Sequence, residues 1–316
     1  MKYICYNTYI FVINDMNFFE FIKKFPTEKA IINHFIKIRY SKEKPICNHC
    51  NSCNVYHYND EKLQKFFRCA DCNRDFSIFK NTIFEKSCTD LRKWFYAIHL
   101  FLNGKKGISA LQLQREVGVT YKTAWRMLRQ IRIAMGNIND TMFSKTIVQM
   151  DETYIGTDYK RGNKVNKNNN DNDRNGGLKT GRGTDKIPVV ALHSNNTIKA
   201  FVVDNTKSYN MIEIAMNNIE EGSEIHTDEY KSYKLFKTFY THKSVNHSKE
   251  YVNSDKVHIN NLENFFGTMK RGIYGIYHHI SKKYLQNYVN EYCFRYNNRK
   301  DINVFDLLLR QCVVIQ

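Results

Sequence analysis

The chain has 316 residues, of which 42% are apolar and 25% are charged, a composition that excludes a disordered polymer and allows two or three folded domains. Its 48 Lys and Arg residues outnumber 31 Asp and Glu residues, and the formal net charge of +17 favours a polyanionic partner such as nucleic acid. No run approaches the ~20 consecutive apolar residues that cross a bilayer, so we expect no membrane partner.

The first predicted domain, 1–40, is an N-terminal extension followed by a helix. Residues 1–15 are fairly apolar, but Asn and Thr interrupt them and no small-residue cleavage site follows. We therefore interpret them as a short extension rather than a signal peptide, with Met16 as an alternative start. Nine cysteines without a secretory signal indicate a reducing compartment, so an intracellular protein is expected.

The second predicted domain, 41–80, contains two CxxC pairs, which predict a zinc ribbon. The four cysteines of these pairs are Cys47, Cys50, Cys69 and Cys72. Each pair lets two thiolates of one tight turn reach the same ion, and two pairs complete a closed tetrahedral site, so the predicted Zn²⁺ is structural rather than catalytic. Strand-like runs at 54–58 and 65–68 separate the pairs. Free buried thiols are the alternative, and Cys53 is either an inert neighbour or a substitute ligand.

Residues 85–137 form the third predicted domain, a helical segment that binds DNA. A helical run from Leu91 ends at Asn103-Gly104. Ser109 and Thr120 are then expected to cap two helices, 110–117 and 121–132, that are joined by a short turn at Gly118. This arrangement is the helix-turn-helix pattern, whose second helix can enter a major groove, and a plain helical hairpin is the alternative.

Side chains of these two helices divide into a packing set and a DNA-facing set. The expected packing positions are Leu111, Val117, Val119, Ala124 and Leu128. The expected DNA-facing positions are Tyr121, Lys122, Arg126 and Arg129.

The fourth predicted domain, 144–300, is a mixed α/β domain interrupted by a loop at 157–187. The loop is rich in Gly, Asn and Lys and cannot bury a core; it either contacts DNA or is a solvated linker, the more usual explanation. Three strand-like runs, a helical run, a fourth strand and a later helix follow one another through the domain, and this order indicates an RNase H-like mixed sheet. A C-terminal helix is assigned to 301–316.

Three carboxylates in this domain have the spacing of a metal-binding triad for phosphodiester chemistry. Asp151 and Asp228 each end an apolar run, and Glu263 lies in a helix-like stretch. Two strand ends and one helix face can bring such residues together around divalent metal ions. Each acid taken alone has a plainer explanation, as a turn residue or a solvated helix position.

Four blocks resemble the DDE transposases of the ISXO-like bacterial insertion sequences and their eukaryotic relatives, the Merlin elements. The blocks are Met150–Gly156, His226–Asp228, His258–Phe266 and Lys270–His279, and the resemblance extends from about Met16 to Asn298. It covers the ribbon, the helix-turn-helix and the catalytic domain in the family's order. The implied fold is a multidomain α+β protein with an RNase H-like catalytic domain.

The resemblance implies two catalytic Mg²⁺ or Mn²⁺ ions, besides one structural Zn²⁺. Asp151 is expected to contact both catalytic ions, with Asp228 and Glu263 holding one each. Asn260 is an alternative third position, because some family members have Asn there; Glu263 is favoured because it shares a helix face with Lys270. Glu152 is expected to support the site.

Lys270 and Arg271 are expected to bind the DNA backbone near these metals. For His226, His258, His278 and His279, a packing or surface role is at least as plausible as contact with phosphate or metal.

The predicted activity is cleavage at the ends of a transposable element followed by strand transfer to target DNA. The partners would be double-stranded DNA, as terminal repeats and target, and further copies of the chain. The protein would lie with DNA in the nucleus of a eukaryotic host or the cytoplasm and nucleoid of a bacterial one. A domesticated, catalytically silent DNA-binding protein and an RNase H-like nuclease without strand transfer are the alternatives.

Overall fold

The computed structural model describes residues 16–41, 44–57, 66–136, 142–156, 186–229, 231–245 and 259–313. Its helices are α1 (Phe18–Lys24), α2 (Glu28–Tyr40), α3 (Leu91–Asn103), α4 (Ala110–Val117), α5 (Tyr121–Met135), α6 (Ser208–Asn218), α7 (Asn260–Gly272), α8 (Lys282–Asn297) and α9 (Val304–Val313). Its strands are β1 (Val55–His57), β2 (Phe66–Cys69), β3 (Asp75–Ser77), β4 (Ile147–Ile155), β5 (Ile187–Ser194), β6 (Thr197–Val202), β7 (Glu224–Asp228) and β8 (Thr241–Val245). Among the residues described, no helix combines the length and the apolar character that a membrane span requires.

The chain divides into two compact units. The first comprises Met1–Ile138 together with Asn298–Gln316, and the second comprises Asn139–Asn297. The C-terminal helix α9 therefore belongs to the first unit, where it packs against α2, α3 and α5. The α+β composition expected from the sequence is confirmed at this coarse level, since both units combine helices with a sheet.

Aromatic rings from α1, α2, α3 and α9 form much of the core of the first unit. Phe25 lies at its centre, with ring centroids 5.3 Å from Phe95 and 5.8 Å from Phe305. Beside this core, β1, β2 and β3 form a small antiparallel sheet that follows the first cysteine pair.

Helices α4 and α5 begin at the predicted caps. The Ser109 side chain accepts a hydrogen bond from the backbone N–H of Gln112, and Thr120 accepts one from Thr123. Gly118 ends α4 with a φ of 65°, a left-handed conformation that suits glycine. Gly104 ends α3 differently, with a φ of −71°; there a Cβ would meet the Gly107 carbonyl oxygen at 2.7 Å.

One expected packing position in α4 was wrong. Leu111 is 59% exposed, whereas Leu113 is fully buried. The reason is helical geometry, because Leu113 and Val117 are four residues apart and share a face, while Leu111 is two residues from Leu113 and lies on another side. Val117, Ala124 and Leu128 are buried as expected, and Val119 is half-buried.

The second unit is built on a five-stranded sheet in the order β6-β5-β4-β7-β8. The pairs β4–β5 and β5–β6 are antiparallel, and β4–β7 and β7–β8 are parallel. The predicted succession of strands and helices is confirmed, but Asp151 lies inside β4, which continues to Ile155. The fifth strand, β8, had no prediction.

The sheet of the second unit is covered on both faces. Helix α6 and a 3₁₀ helix, Lys231–Thr238, share one core with alternate side chains of the central strands. These side chains include Val148 and Met150 of β4 and Val190 of β5. Because side chains alternate across a strand, Gln149 and Asp151 belong to the other face, where α7 packs against β4 and β5.

The edge strand β6 is protected by helix α8. The Gln286 side chain accepts from the N–H of Val202 and donates to the carbonyl of Ala200, at 2.7 and 3.0 Å. Asn297 pairs in the same way with both backbone groups of Ile198, at 2.7 and 2.9 Å. These amides occupy backbone groups that would otherwise be open to another strand, so α8 closes this edge of the sheet.

Candidate functional site

Two carboxylates meet at the carboxyl end of the parallel pair β4 and β7. The strands pair with Gln149 opposite His226, and continuing this register by two residues sets Asp151 beside Asp228. Carboxylate oxygens of Asp151, Asp228 and Glu152 all lie within 4.8 Å of one another. The two predicted strand acids are therefore brought together, and a third carboxylate joins them.

The Asp151 carboxyl lies in a buried and negatively charged environment. Burial raises the pKa of its carboxyl to about 8, and the negative charges of Glu152, Asp228 and Glu263 add to the increase. A hydrogen bond of 2.8 Å from the backbone N–H of Glu152 to Asp151 Oδ1 opposes it. A site that crowds carboxylates in this way suits a positively charged ligand.

Glu152 is held from the opposite side of the sheet. The buried Tyr233 hydroxyl, on the 3₁₀ helix, donates a hydrogen bond of 2.6 Å to Glu152 Oε2. Burial and the charges of Glu152 and Asp151 raise the pKa of Tyr233 well above its ordinary value, so the hydroxyl keeps its proton and acts as a donor. Neither this tyrosine nor the closeness of Glu152 to Asp228 was foreseen from the sequence.

Helix α7 carries the remaining predicted residues of the acidic site. Glu263 lies in its first turn and is exposed, as is Asn260 at its start. Glu263 is outside the group of three acids but close enough for its charge to act on Asp151. Burial and the charge of Lys186 lower the pKa of Lys270, while Asp151 opposes the decrease. Glu263 and Lys270 thus both interact with Asp151.

Arg271 and the histidines have more local partners. Arg271 is exposed and donates to the Thr268 hydroxyl at 3.2 Å. His226 is buried, with Nε2 2.6 Å from Glu224 Oε1. His278 Nδ1 lies 3.0 Å from the Tyr274 carbonyl oxygen, and His279 is exposed. His258 and the loop from 157 to 185 lie outside the described residues.

Four sulfur atoms form the second cluster. Sγ of Cys47 is 3.7 Å from that of Cys72, and Sγ of Cys50 is 3.5 Å from that of Cys69; all four lie within 4.8 Å of one another. A tetrahedral ion with Zn–S bonds of about 2.3 Å separates its sulfurs by about 3.8 Å, whereas a disulfide needs about 2.05 Å. Cys53 is exposed and does not belong to this cluster.

The two cysteine pairs are built by the same backbone turn. Cys47 N–H donates to the Ser52 carbonyl and Asn51 N–H donates back to the Cys47 carbonyl; the Cys69 turn repeats both bonds with Arg74 and Asn73. Asn51 and Asn73 have φ values of 60° and 57°, which Asn tolerates better than most residues.

Further contacts join the two turns and prepare a thiolate. The Asp71 carboxylate in the second turn accepts hydrogen bonds from Ser52 and Asn54 of the first. Backbone N–H groups of Cys72 and Asp71 outweigh burial and lower the pKa of Cys69 to about 7. This shift favours the thiolate form of Cys69, which is the form that binds a metal. At Cys50, a hydrogen bond from the Ser52 backbone acts to lower the pKa, but the hydrogen bond with Cys69 and burial outweigh it and raise that pKa to about 12.

The predicted DNA-facing residues lie on the first turns of α5. Tyr121, Lys122 and Arg126 are exposed, and Arg129 is half-buried. The Arg126 guanidinium lies 3.5 Å from the Glu85 carbonyl oxygen. Three of the four positions are thus open to solvent on one end of the second helix.

Comparison with known proteins matches this chain to transposable elements. Residues 144–297 match the family described as ISXO2-like transposase domain. An "Uncharacterized protein in transposable element ISH50" from Halobacterium salinarum is 29% identical over 87% of this chain and 92% of its own length. An "Uncharacterized transposase-like protein" from Haemophilus influenzae is 26% identical over 36% of this chain and 94% of its own length.

Solved structures give a weaker likeness. The Mos1 strand transfer complex aligns with a TM-score of 0.29 and 12% identity, over 69% of this chain and 74% of its own. The Mos1 paired-end complex with left transposon end gives 0.27 and 10%, over 70% and 80%. These scores are too low to carry an argument about fold or mechanism. The sequence match is specific, and it spans the sheet and the acidic group together with α7 and α8. The match over residues 144–297 confirms the resemblance to ISXO-like transposases that the sequence blocks predicted.

Proposed function

We propose that this protein is a DNA transposase that cleaves the ends of its element and joins them to target DNA. The observation that carries the proposal is the meeting of Asp151 and Asp228 within a domain that matches the transposase family. The antiparallel β4–β5–β6 and the parallel β7 and β8 also suit the predicted RNase H-like sheet. That sheet would fix the two acids on rigid, neighbouring strands.

The acidic group fits divalent metal ions. Carboxylate oxygens are the hard donors that Mg²⁺ and Mn²⁺ prefer. Burial, together with the negative charges of the neighbouring acids, raises the pKa of Asp151, and a bound cation would offset both effects. We assign Asp151, Asp228 and Glu263 as the ligands, with Asn260 as the alternative third position. Bound there, the metal ions would activate the attacking oxygen and stabilise the leaving oxygen of a phosphodiester.

The side chains around the acids have separate tasks in this proposal. Lys270, which interacts electrostatically with Asp151, would hold the scissile strand's backbone, and Arg271 would bind a neighbouring phosphate. Glu152 would not contact DNA. Because Tyr233 fixes its side chain and it is adjacent to Asp151 in β4, it would help to keep Asp151 in place. The protein's own residues would thus orient the DNA strand at the acidic group.

End recognition would belong to the first unit. The four cysteines fit one structural Zn²⁺, because their sulfur separations are those of a tetrahedral thiolate site. We propose that the resulting zinc ribbon supports a helix-turn-helix formed by α4 and α5. Tyr121, Lys122 and Arg126 would face the DNA, with Arg129 beside them. Two element ends would require at least two copies of the chain.

A matched pair of Asp→Asn variants tests the catalytic assignment. The substrate is duplex DNA carrying the sequences that flank the coding region, in Mg²⁺. Asp228→Asn is expected to abolish end cleavage and joining while binding to the ends persists. Asp204→Asn is the control, because Asp204 is exposed and pairs with Lys282 in the same unit, and it is expected to retain cleavage.

Three other outcomes would redirect the proposal. Equal loss of binding and cleavage in Asp228→Asn would indicate a structural role for this acid. Binding without cleavage by the wild-type protein would favour a domesticated DNA-binding protein. Cleavage without joining would favour a nuclease of the same fold.

A further inference from the structure

Helix α7 does not end in an ordinary α-helical turn. It passes into one π-helical turn, Ile273–Tyr277, and His278 then closes it with a φ of 58°. A π-turn contains more residues than an α-turn, so it rotates the side chains that follow relative to those before it. Such turns are frequent at functional sites, and here Lys270 precedes the turn.

The first tyrosine of the π-turn contacts the end of the catalytic strand. The Tyr274 hydroxyl accepts a hydrogen bond from Gly156 N–H at 3.3 Å and lies 3.4 Å from the Gly156 carbonyl oxygen, to which it donates. Gly156 directly follows β4 and has a φ of 142°, a conformation that excludes most side chains. Tyr274 therefore connects α7 to the strand that carries Asp151.

The second tyrosine of the π-turn connects it to a buried charge. Tyr277 donates from its hydroxyl to the Glu291 carboxylate, which lies 3.1 Å away through either oxygen. Glu291 is fully buried in α8. It also accepts a hydrogen bond of 3.0 Å from Nε of Arg295, which lies one turn further along the same helix. A buried carboxylate that loses a hydrogen-bond partner destabilises the fold, because part of its charge is then unpaired and away from water. Its partners are therefore expected to stay in fixed positions.

Close packing fixes the approach of α7 to α8. A Cβ at Gly272 would lie 1.9 Å from the Tyr292 hydroxyl, so only glycine fits where the π-turn begins. The π-turn thus packs against α8 at Gly272 and Tyr277, and it contacts the end of β4 through Tyr274.

We propose that Tyr277, Glu291 and Arg295 are positioning residues that hold the π-turn so that Tyr274 fixes the end of β4 and α7, which bears Lys270, keeps its place against that strand. This inference rests on the proposed transposase function for its catalytic consequence. Its structural part stands on the contacts of the second unit alone. These residues act through Tyr274 and the helix that bears Lys270.

Hydrogen exchange tests the structural part without any need for activity. Tyr277→Phe, in the full chain, keeps the ring and removes the bond to Glu291. The Gly156 amide is expected to exchange about tenfold faster, and Tyr274→Phe should give the same increase. Tyr209→Phe is the control, since Tyr209 is 74% exposed on α6 and should leave that amide unchanged. Unchanged exchange at Gly156 in Tyr277→Phe would overturn the proposal.

Single-turnover cleavage of bound ends tests the catalytic part. Tyr277→Phe is expected to slow cleavage about tenfold to a hundredfold while the affinity for ends stays the same, because small misplacements near the reacting groups are costly. The Tyr274→Phe and Tyr277→Phe effects should not add in the double variant, since both act through one contact. Glu291→Gln should slow cleavage similarly; if it fails to fold, Tyr277→Phe still decides.

The two kinds of failure are distinguishable. Failure of the wild-type protein to cleave DNA would refute the proposed function, but the exchange test of the Gly156 amide would remain valid. Additive rate effects, or a normal cleavage rate in Tyr277→Phe, would instead refute the positioning role.

Discussion

Removing the Tyr233 hydroxyl should destabilise the second unit more than removing a similar hydroxyl nearby. Tyr233→Phe keeps the ring in its contact with Phe236, at 5.5 Å between centroids, and deletes only the donor to Glu152. A hydrogen bond to a charged group contributes about 1.5–3 kcal/mol, and the buried position of Glu152 favours the upper half of that range. We therefore expect a loss of about 2–3 kcal/mol in the free energy of unfolding of this unit.

Tyr240→Phe is the matched control for this prediction. Tyr240 belongs to the same core, but its hydroxyl donates to the neutral carbonyl of Ile219 at 3.3 Å, so the expected loss is about 0.5–1 kcal/mol. Native-state hydrogen exchange of the β5 amides measures the unfolding of this unit separately from the first. A Tyr233→Phe loss no larger than that of Tyr240→Phe would refute the assignment of a charged, structurally important Glu152.

Three further predictions concern the first unit. Cys47→Ser should remove the bound zinc and weaken end recognition, whereas Cys53→Ser should keep about one zinc per chain by elemental analysis; a well-folded wild-type preparation without zinc would end the idea. Arg126→Ala should reduce the preference for element ends over scrambled duplex by ~1–3 kcal/mol at fixed salt, and an unchanged ratio of affinities would place sequence reading elsewhere. Burial acts to raise the pKa of Asp306, but the hydrogen bonds and charges of His34 and Lys24 together outweigh it and lower that pKa. Asp306→Asn should therefore be less stable than wild type above about pH 4, and the deficit should vanish as pH falls through the lowered pKa; a deficit independent of pH in denaturant titrations would contradict the ion pair.

Local sequence signals predicted the features that depend on short spacings. The cysteine pairs are one example, because each turn is set by residues within one CxxC segment and its following Asn. The caps at Ser109 and Thr120 are another, since a side-chain oxygen and an N–H three residues later form the bond. Asp151 and Asp228 were predicted as neighbours because each ends an apolar run, although Asp151 proved to lie inside β4.

Features that depend on distant register were missed. Tyr233 reaches Glu152 from a 3₁₀ helix 81 residues further along the chain, and no spacing in the sequence encodes that contact. The π-turn is a second case, because its residues continue the helical pattern of α7 and nothing local announces the extra residue. Leu111 was wrongly predicted to be buried for a simpler reason, since it is two residues from the buried Leu113 and therefore lies on another side of α4.

The strand-transfer reaction tests the central claim most directly. A precut element end with a free 3′-hydroxyl is incubated with supercoiled plasmid and the full chain in Mg²⁺, and joined products are measured. We expect joining by the wild-type protein, and none with a 3′-deoxy end, in chelator or with Asp228→Asn. Joining that persists in chelator or with Asp228→Asn, or end cleavage by the wild-type protein without any joining, would contradict the proposed strand transfer.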